Sequence, residues 1–479
     1  MRICKAMYND YMESPTTFVI FGATGDLARK KLIPALFDLY VKKMLPDVFY
    51  IMGFSRRVCE IETFHDMVRD AIGEKMHNHA KEKEDAFLKH VSYVQGSFED
   101  AEAYKNLAEA LITLDNILAK KCSNKIFYLA VPPISFASIF TNLADAGLSI
   151  PCVGGWTRIL VEKPFGKDLH TAQELDATLG LLFKEEQIFR IDHYLAKETI
   201  QNIIAFRFAN TIFGPLWDKD HIEKVEVQLL EDIDVGTRGS FYDGVGALRD
   251  LGQSHILQMV ALIAMEDPKE LDASLIRAAR AKVFTCLRPF TKNDIKTQVV
   301  RGQYVGYRDT KGVDPNSATE TYFRMKTYID NERWRDVPFY LEAGKALHEK
   351  RTEITLYFRE KVSCVCPKDT DQHHQNMLTI RLQPNEGMSL LFWVKKPGFG
   401  MDLEPQRLSF SYADSPNAVM FPDAYERVLH DCVRGDQTLF ASTEEVNAEW
   451  KFITPILQNW QDNPLMEYEK GSKPKHTIS

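Results

Sequence analysis

The sequence predicts an α/β plus α+β protein: an N-terminal doubly wound Rossmann domain followed by a C-terminal domain with a large, mostly antiparallel sheet. Three observations carry that expectation. The chain has 479 residues, too many for one compact core, so two domains are expected. Up to about residue 190, near-continuous apolar runs alternate with helical stretches, the pattern of parallel strands covered on both faces. Beyond residue 222 the runs arrive in succession and often alternate polar with apolar, which suits an antiparallel sheet covered on one face.

The elements follow in order. "TFVIF" (17–21) is a short apolar strand that ends in a Gly turn, and a helical pattern continues through Lys43. "VFYIMGF" (48–54) is the next strand, so the chain opens strand–helix–strand. "KIFYLAVPP" (125–133) and "TRILVEKPF" (157–165) are further buried strands, each bounded by proline. Later strands are read at "IEKVEVQLLE" (222–231), "ITLYF" (354–358), "MLTIRLQP" (377–384) and "MSLLFWV" (388–394), with helices near 194–209, 246–264 and 422–435. The expected divisions are an extension over 1–15, a nucleotide-binding domain over 16–192, a substrate-binding and oligomerisation domain over 193–465, and a tail over 466–479.

Composition narrows the function. Apolar residues make up 45% and charged residues 26%, ordinary for a globular protein. A net charge of -8 argues against nucleic acid or a membrane surface as partner. No run of about eighteen apolar residues occurs, and the start lacks a signal-peptide h-region. The eight cysteines show no framework spacing, so reduced thiols and a cytoplasmic setting are expected. Cys364 and Cys366 with His373 and His374 could clip a metal, but closed zinc sites more often use CxxC-type spacings; no metal is expected, and the stretch reads as a surface loop.

"FGATGDLA" (21–28) sits after a strand and opens a helix, the setting a dinucleotide fingerprint requires. Gly22, Ala23, Thr24, Gly25, Asp26 and Leu27 would line the pyrophosphate, with Ala28 where helix meets strand. The helix N-terminus adds free N–H groups and a positive dipole end. An NAD site usually ends its second strand with Asp or Glu. Here that strand ends "GFSRR", and no acid appears before Glu60. Ser55 and Arg56, with Arg57 beside them, suit a 2′-phosphate, so NADP is the expected cofactor.

"RIDHYLAKE" (190–198) loads both signs of charge and a histidine at the mouth of an apolar helix. A helix beginning near Tyr194 would put His193 and Lys197 on one face, near free N–H groups, as a phosphate-monoester site. On spacing alone Asp192 reads equally as an N-cap, and Lys197 with Glu198 as a solvated face. "GALRDLGQSHILQMVALIAM" (246–265) is a buried helix with Asp250 and His255 near its entry. A histidine there is commonly a hydrogen-bonded core residue. Oxidation of a sugar hydroxyl, however, needs a base near neutrality and a carboxylate to orient it, and Asp192 is a candidate for that partner.

"FGATGDLARKKLIPAL", "EKPFG", "RIDHYLAKE", "FGPLW", "RDLGQSHILQ", "RGQYVGY", "NERW", "GKAL" and "PDAYERVLHDCVRGDQTLF" (422–440) stand in the order seen in glucose-6-phosphate dehydrogenases, and the chain resembles that family from about residue 17 to about 460. The resemblance implies oxidation of glucose 6-phosphate to its lactone, the first step of the oxidative pentose phosphate pathway, with NADP as acceptor. It implies that His255 is the general base and Asp192 its carboxylate partner. His193 and Lys197, with Tyr194 beside them, would grip the substrate phosphate. Glu231 and Asp250 would bond sugar hydroxyls, and Lys345 and Lys350 would be further basic contacts. Lys163 would lie between cofactor and sugar, Pro164 would be a cis-proline, and Thr24 and Arg56 would contact NADP. A homodimer or homotetramer is implied, to which "MSLLFWV" would contribute. The sequence departs from the family at Ala196, where glycine is usual, and at Gly252 and Ser254, where a bulkier residue and asparagine are commoner. A dehydrogenase of unphosphorylated sugars is the rival; it would leave the cationic set His193, Lys197, Lys345 and Lys350 unpaired.

Overall fold

The computed structural model describes residues 14–75, 81–117, 122–360, 374–414 and 421–475. It divides into two compact units, one running through Gly166, His170–Ala196 and Pro422–Thr443, the other comprising Lys167–Leu169, Lys197–Phe421 and Glu444–Ser479. The division expected after residue 192 therefore falls after Ala196. A late segment, Pro422–Thr443, returns to the first unit, which no contiguous reading of the chain anticipates.

The first unit is built on a seven-stranded sheet. In chain order its strands are β1 (Thr16–Phe21), β2 (Phe49–Ser55), β3 (Val91–Gln95), β4 (Asn124–Leu129), β5 (Thr157–Glu162) and β6 (Ile188–Ile191). Their spatial order is β6-β5-β4-β1-β2-β3, all parallel, with Phe440–Ala441 pairing antiparallel along the outer edge of β6. Strand order reverses between β1 and β4, and the crevice outside the strand C-termini at such a switch point is where this architecture binds nucleotides. The strands are buried on both faces; β1 reads "TTFVIF" with every residue buried, as its unbroken apolar run requires. After β1 the chain turns through residues 22–25, makes a π-helical turn at Ala28–Leu32 and continues as α1 (Ile33–Val41).

The second unit begins with α2 (Glu198–Ala209) and contains β7 (Ile222–Leu230). Its central helix is π-helical over Leu248–Ile256 and then α-helical as α3 (Leu257–Ala264). The remaining strands are β8 (Val299–Tyr304), β9 (Tyr322–Thr327), β10 (Phe339–Gly344), β11 (Arg351–Phe358), β12 (Met377–Gln383), β13 (Gly387–Lys395) and β14 (Leu403–Ser411), joined by a last strand, Leu465–Tyr468. They form a nine-stranded sheet in the order β14-β13-β12-β11-β7-β10-β9-β8-(Leu465–Tyr468). The sheet is mostly antiparallel as expected, with parallel pairing where β10 meets β7 and where the last strand meets β8. β12 alternates buried and half-buried residues along its length, the period-2 signature of a sheet covered on one face.

The returning segment explains its own placement. Within it, α4 (Ala424–Arg434) buries Val428, Leu429, Cys432 and Val433 in the core that also holds Leu36, Ile51 and Ile126. Gly435 closes that helix in the left-handed region, φ 77°, where the absence of a Cβ removes the steric penalty. Among the described residues no helix is long and apolar enough to cross a membrane. Cys122 and Cys152 stand next to each other, with Cα atoms 6.2 Å apart. Cys364, Cys366 and His373 lie outside the described residues, and the His374 ring meets Trp393 edge-on at 4.5 Å.

Candidate active site

The nucleotide turn is fixed by contacts that admit no side chain. Gly22 has φ +79°, and a Cβ there would stand 2.5 Å from the Ala130 carbonyl oxygen at the end of β4. Its N–H donates to Phe54 O on β2 at 2.8 Å, while Gly25 N–H donates to Gly22 O at 2.9 Å. Three strands are thereby drawn together at the switch point by one residue's lack of a side chain. Ala28 is fully buried and Ala23 nearly so, leaving Asp26, exposed and paired with Lys30 at 3.1 Å, at the outer rim beside half-buried Leu27.

Thr24 Oγ1 lies 2.9 Å from Ser55 Oγ, tying the turn to the end of β2. The two residues that follow, Arg56 and Arg57, are exposed, and the Tyr93 hydroxyl donates to Ser55 O at 3.1 Å, which steadies their backbone. The glycine-bounded turn, the opening of a helix and the basic strand end together fit a dinucleotide, with its pyrophosphate at the turn.

On the same unit β5 delivers Glu162 and Lys163. Lys163–Pro164 is a cis peptide, as the resemblance implied. Glu162 is buried and accepts a hydrogen bond from the Tyr128 hydroxyl at 2.6 Å. Burial pushes its pKa up to about 7, against the pull of that bond and of Lys163 and with help from Asp192. β6 carries Arg190 one residue before its end; the side chain is 2% exposed and paired with Asp176 at 2.6 Å and Glu185 at 2.9 Å. The arginine of "RIDHYLAKE" therefore braces the strand end.

Asp192 is also buried, and its Oδ1 accepts the Tyr194 N–H at 2.9 Å, while Leu195 N–H donates to Asp192 O at 3.0 Å. These bonds make residues 192–197 a turn, and α2 starts only at Glu198, with Lys197 at its N-cap. The expectation that a helix from Tyr194 puts His193 and Lys197 on one face is corrected. A short carboxylate side chain that captures a nearby N–H competes with the helix for that donor. The half-buried His193 ring lies 5.1 Å from Tyr194 and stacks on Tyr425 of α4 at 6.4 Å, 13° from parallel.

The second unit assembles a charged cluster. β7 and β10 run parallel with Leu230 opposite Gly344, so Glu231 and Lys345, one residue beyond each, emerge side by side. Lys345 Nζ donates to Glu231 and stands 3.5 Å from Asp250 Oδ2 on the π-helical segment. The Tyr242 ring lies 5.3 Å from the same ammonium. Lys345 is thus paired with two carboxylates and orients them, and it drops out of the set of cations a neutral sugar would leave unpaired. Lys197 Nζ donates to Gln383 Oε1 at 2.6 Å. Lys350 is exposed just before β11.

His255 is 1% exposed on the π-helical segment. Gln253 ties that segment to Glu449 at 2.9 Å; Gln258 of α3 donates to the same carboxylate at 2.8 Å, and Arg280 donates to Glu445 at 2.7 Å. Gly252 has its own reason there, since a Cβ would stand 2.7 Å from Leu248 Cδ1 and 2.9 Å from Phe323 Cζ. Of the residues singled out from the sequence, Lys163, Asp192, His193 and Tyr194 belong to the first unit. Lys197, Glu231, Asp250, His255, Lys345 and Lys350 belong to the second. Sequence reasoning gave no role to Tyr242, Glu162 or Tyr425; the last two lie within quoted motifs, but Tyr425's partner His193 is more than two hundred residues away.

Two family models divide the chain between them: a glucose-6-phosphate dehydrogenase NAD-binding domain over residues 19–202, and a glucose-6-phosphate dehydrogenase C-terminal domain over 204–478. Glucose-6-phosphate 1-dehydrogenase of Treponema pallidum is 41% identical over 482 residues, covering 96% of this chain and 92% of the relative. Glucose-6-phosphate 1-dehydrogenase 6, cytoplasmic, of Arabidopsis thaliana is 38% identical over 464 residues, 95% of this chain and 88% of the relative. A solved glucose-6-phosphate dehydrogenase in complex with its substrate glucose 6-phosphate superposes with a TM-score of 0.90 at 33% identity, covering 97% of this chain and 96% of that one. The chain is an oxidoreductase with a nicotinamide-nucleotide-binding first unit, and it belongs to the glucose-6-phosphate dehydrogenase family.

Proposed function

We propose that this chain oxidises glucose 6-phosphate to 6-phosphoglucono-1,5-lactone with NADP as acceptor, opening the oxidative pentose phosphate pathway. The sugar-phosphate oxidation follows from family membership. The choice of NADP rests on the end of β2, where Thr24 bonds Ser55 and exposed Arg56 follows, with no acid in the chain from there to Glu60. An arginine fork there pairs a phosphate by charge-assisted hydrogen bonds. Gly22, Ala23, Thr24, Gly25, Asp26, Leu27, Ser55, Arg56 and Lys163 would hold the cofactor, which when bound supplies the hydride acceptor.

The remaining work falls to side chains. His255 takes the proton from the C1 hydroxyl as the C1 hydride leaves, so that a C1 carbonyl forms and the imidazole becomes cationic. Asp192 stabilises that cation as a neighbouring carboxylate does. His193 and Lys197, with Tyr194 and Lys350, hold the substrate phosphate. Glu231 and Asp250, held apart by Lys345, accept hydrogen bonds from sugar hydroxyls. We read the protein as cytoplasmic, with support from the Arabidopsis relative's name. We read it as a homodimer or homotetramer, with support from the exposed Leu408 and Phe410 of β14 beside β13.

An assay of nicotinamide reduction with NADP or NAD, and with glucose or glucose 6-phosphate, tests the substrate and cofactor together. His255→Asn is expected to lower turnover roughly 10²–10⁴-fold while sparing sugar-phosphate binding. Turnover close to that of the unsubstituted protein would remove His255 from the base position.

A further inference from the structure

The central helix of the second unit is entered through the turn "DGVG" (243–246), and a neighbouring loop holds that turn from several sides. Asp243 Oδ1 accepts the hydroxyls of Ser317, Thr319 and Tyr307, and its Oδ2 accepts Asp314 N–H at 3.1 Å. Gly244 N–H donates to Thr319 Oγ1 at 2.9 Å, and Ala247 N–H donates to Glu320 O at 3.0 Å. At the centre lies the Glu320 side chain, 4% exposed, whose Oε1 accepts the Leu248 N–H at 3.0 Å. The carboxylate is seated directly on Gly246. That residue has φ +76°, and a Cβ there would fall 2.2 Å from Glu320 Oε1 and 2.5 Å from Oε2.

A helix N-terminus leaves its first N–H groups without intrahelical acceptors, and a carboxylate there both accepts one and meets the positive end of the dipole. The usual donor of such a cap is the residue just before the helix. Here the cap comes from a strand-leading loop 72 residues later in the chain, so it joins two elements as well as closing one. Two residues beyond Leu248 is Asp250, and seven beyond is His255. Burial pushes the Glu320 pKa up to about 7, opposed by the Leu248 N–H and by Arg249 and Arg301. The fold keeps a carboxyl group where its charge is poorly solvated, at the one place where it fixes this helix.

We infer that Glu320 is a positioning residue for the reaction: its carboxylate, seated on Gly246 and bonded to Leu248 N–H, sets the first turn of the helix that presents Asp250 and His255. The inference rests on the roles assigned to those two residues under Proposed function.

Glu320→Met keeps the volume and removes the acceptor, whereas Glu320→Gln keeps an acceptor oxygen. Gly246→Ala evicts the carboxylate without touching it. Glu320→Met and Gly246→Ala are expected to lower kcat/KM for glucose 6-phosphate by roughly 10- to 100-fold, the scale of a small misplacement of reacting groups. KM for the nicotinamide nucleotide should stay put, because its turn lies in the first unit, and amide exchange at Leu248 should quicken. Glu320→Gln should restore most of the activity. Full activity in Glu320→Met, in a protein where His255→Asn abolishes turnover, would overturn the inference alone. Full activity in His255→Asn would overturn the reading beneath it. Equal losses in Glu320→Met and Glu320→Gln would also sink the inference, since an acceptor would then not be what the helix needs.

Discussion

Arg56 and Glu162 show how differently two charged side chains on one unit are treated. Arg56 stands exposed just after β2, available to a ligand. Arg56→Ala is therefore expected to narrow the preference for NADP over NAD by about 1–3 kcal/mol, the scale of one charge-assisted hydrogen bond, read from the two kcat/KM values. Glu162 is enclosed, and burial lifts its pKa from 4.5 to about 7. Between those two values the folded protein holds a proton that the unfolded chain has released, so this group's contribution to stability is full below about 4.5 and is lost as pH rises through about 7. Glu162→Gln removes that loss. Its melting temperature, measured against the unsubstituted protein, should improve from about pH 5 to about pH 8; a constant difference would show that the carboxyl is ionised throughout.

At the scale of elements, the helix that carries Asp250 and His255 departs from regular α-helix over nine residues. It is π-helical over Leu248–Ile256, tethered by Gln253 to Glu449 and capped by Glu320. Single π-turns are uncommon and concentrate at functional sites. Read as a plain helix, Gly252 looks like a loss of about 1 kcal/mol of propensity. The packing reverses that judgement, because a methyl group would press on Leu248 and on the fully buried Phe323 ring. Gly252→Ala is expected to destabilise by about 1–3 kcal/mol in denaturant unfolding, as overpacking does. A stabilised variant would mean that the helix shifts to make room. The neighbouring α2 carries the opposite lesson. Its apolar spacing was legible in "TIQNIIAFRFA", but its start was not, because Asp192 takes the Tyr194 N–H and delays the helix to Glu198.

For the molecule as a whole, the sequence order of the elements and their spatial order part company at Pro422–Thr443. This segment completes the first unit, adding an antiparallel edge to β6 and four apolar side chains of α4 to the core beneath β1 and β2. It also brings Tyr425 against His193 and the Lys42–Glu426 ion pair at 2.8 Å. Leu429, 1% exposed in that core, belongs to the nucleotide-binding unit despite its distance along the chain. Leu429→Ala should cost about 2–5 kcal/mol, and the loss should appear as weaker protection of β1 and β2 in amide exchange. Protection lost only in the second unit would place α4 with the wrong core.

The sequence by itself determined the two kinds of sheet, the glycine turn between β1 and its helix, and the identity of the family. Each of these is written in local pattern: an unbroken or alternating apolar run, a glycine where a strand turns into a helix, motifs in a fixed order. What only the tertiary structure decided are the pairings of residues far apart in the chain. Lys345 lies between Glu231 and Asp250, Tyr425 on His193, and Glu320 under Leu248. Nothing in the neighbourhood of Glu320 in the sequence, "SATETYF", marks it as the cap of a helix that ended 56 residues earlier. A hydrogen bond is specified by the two groups the fold brings within reach, and sequence periodicity records burial without recording partners.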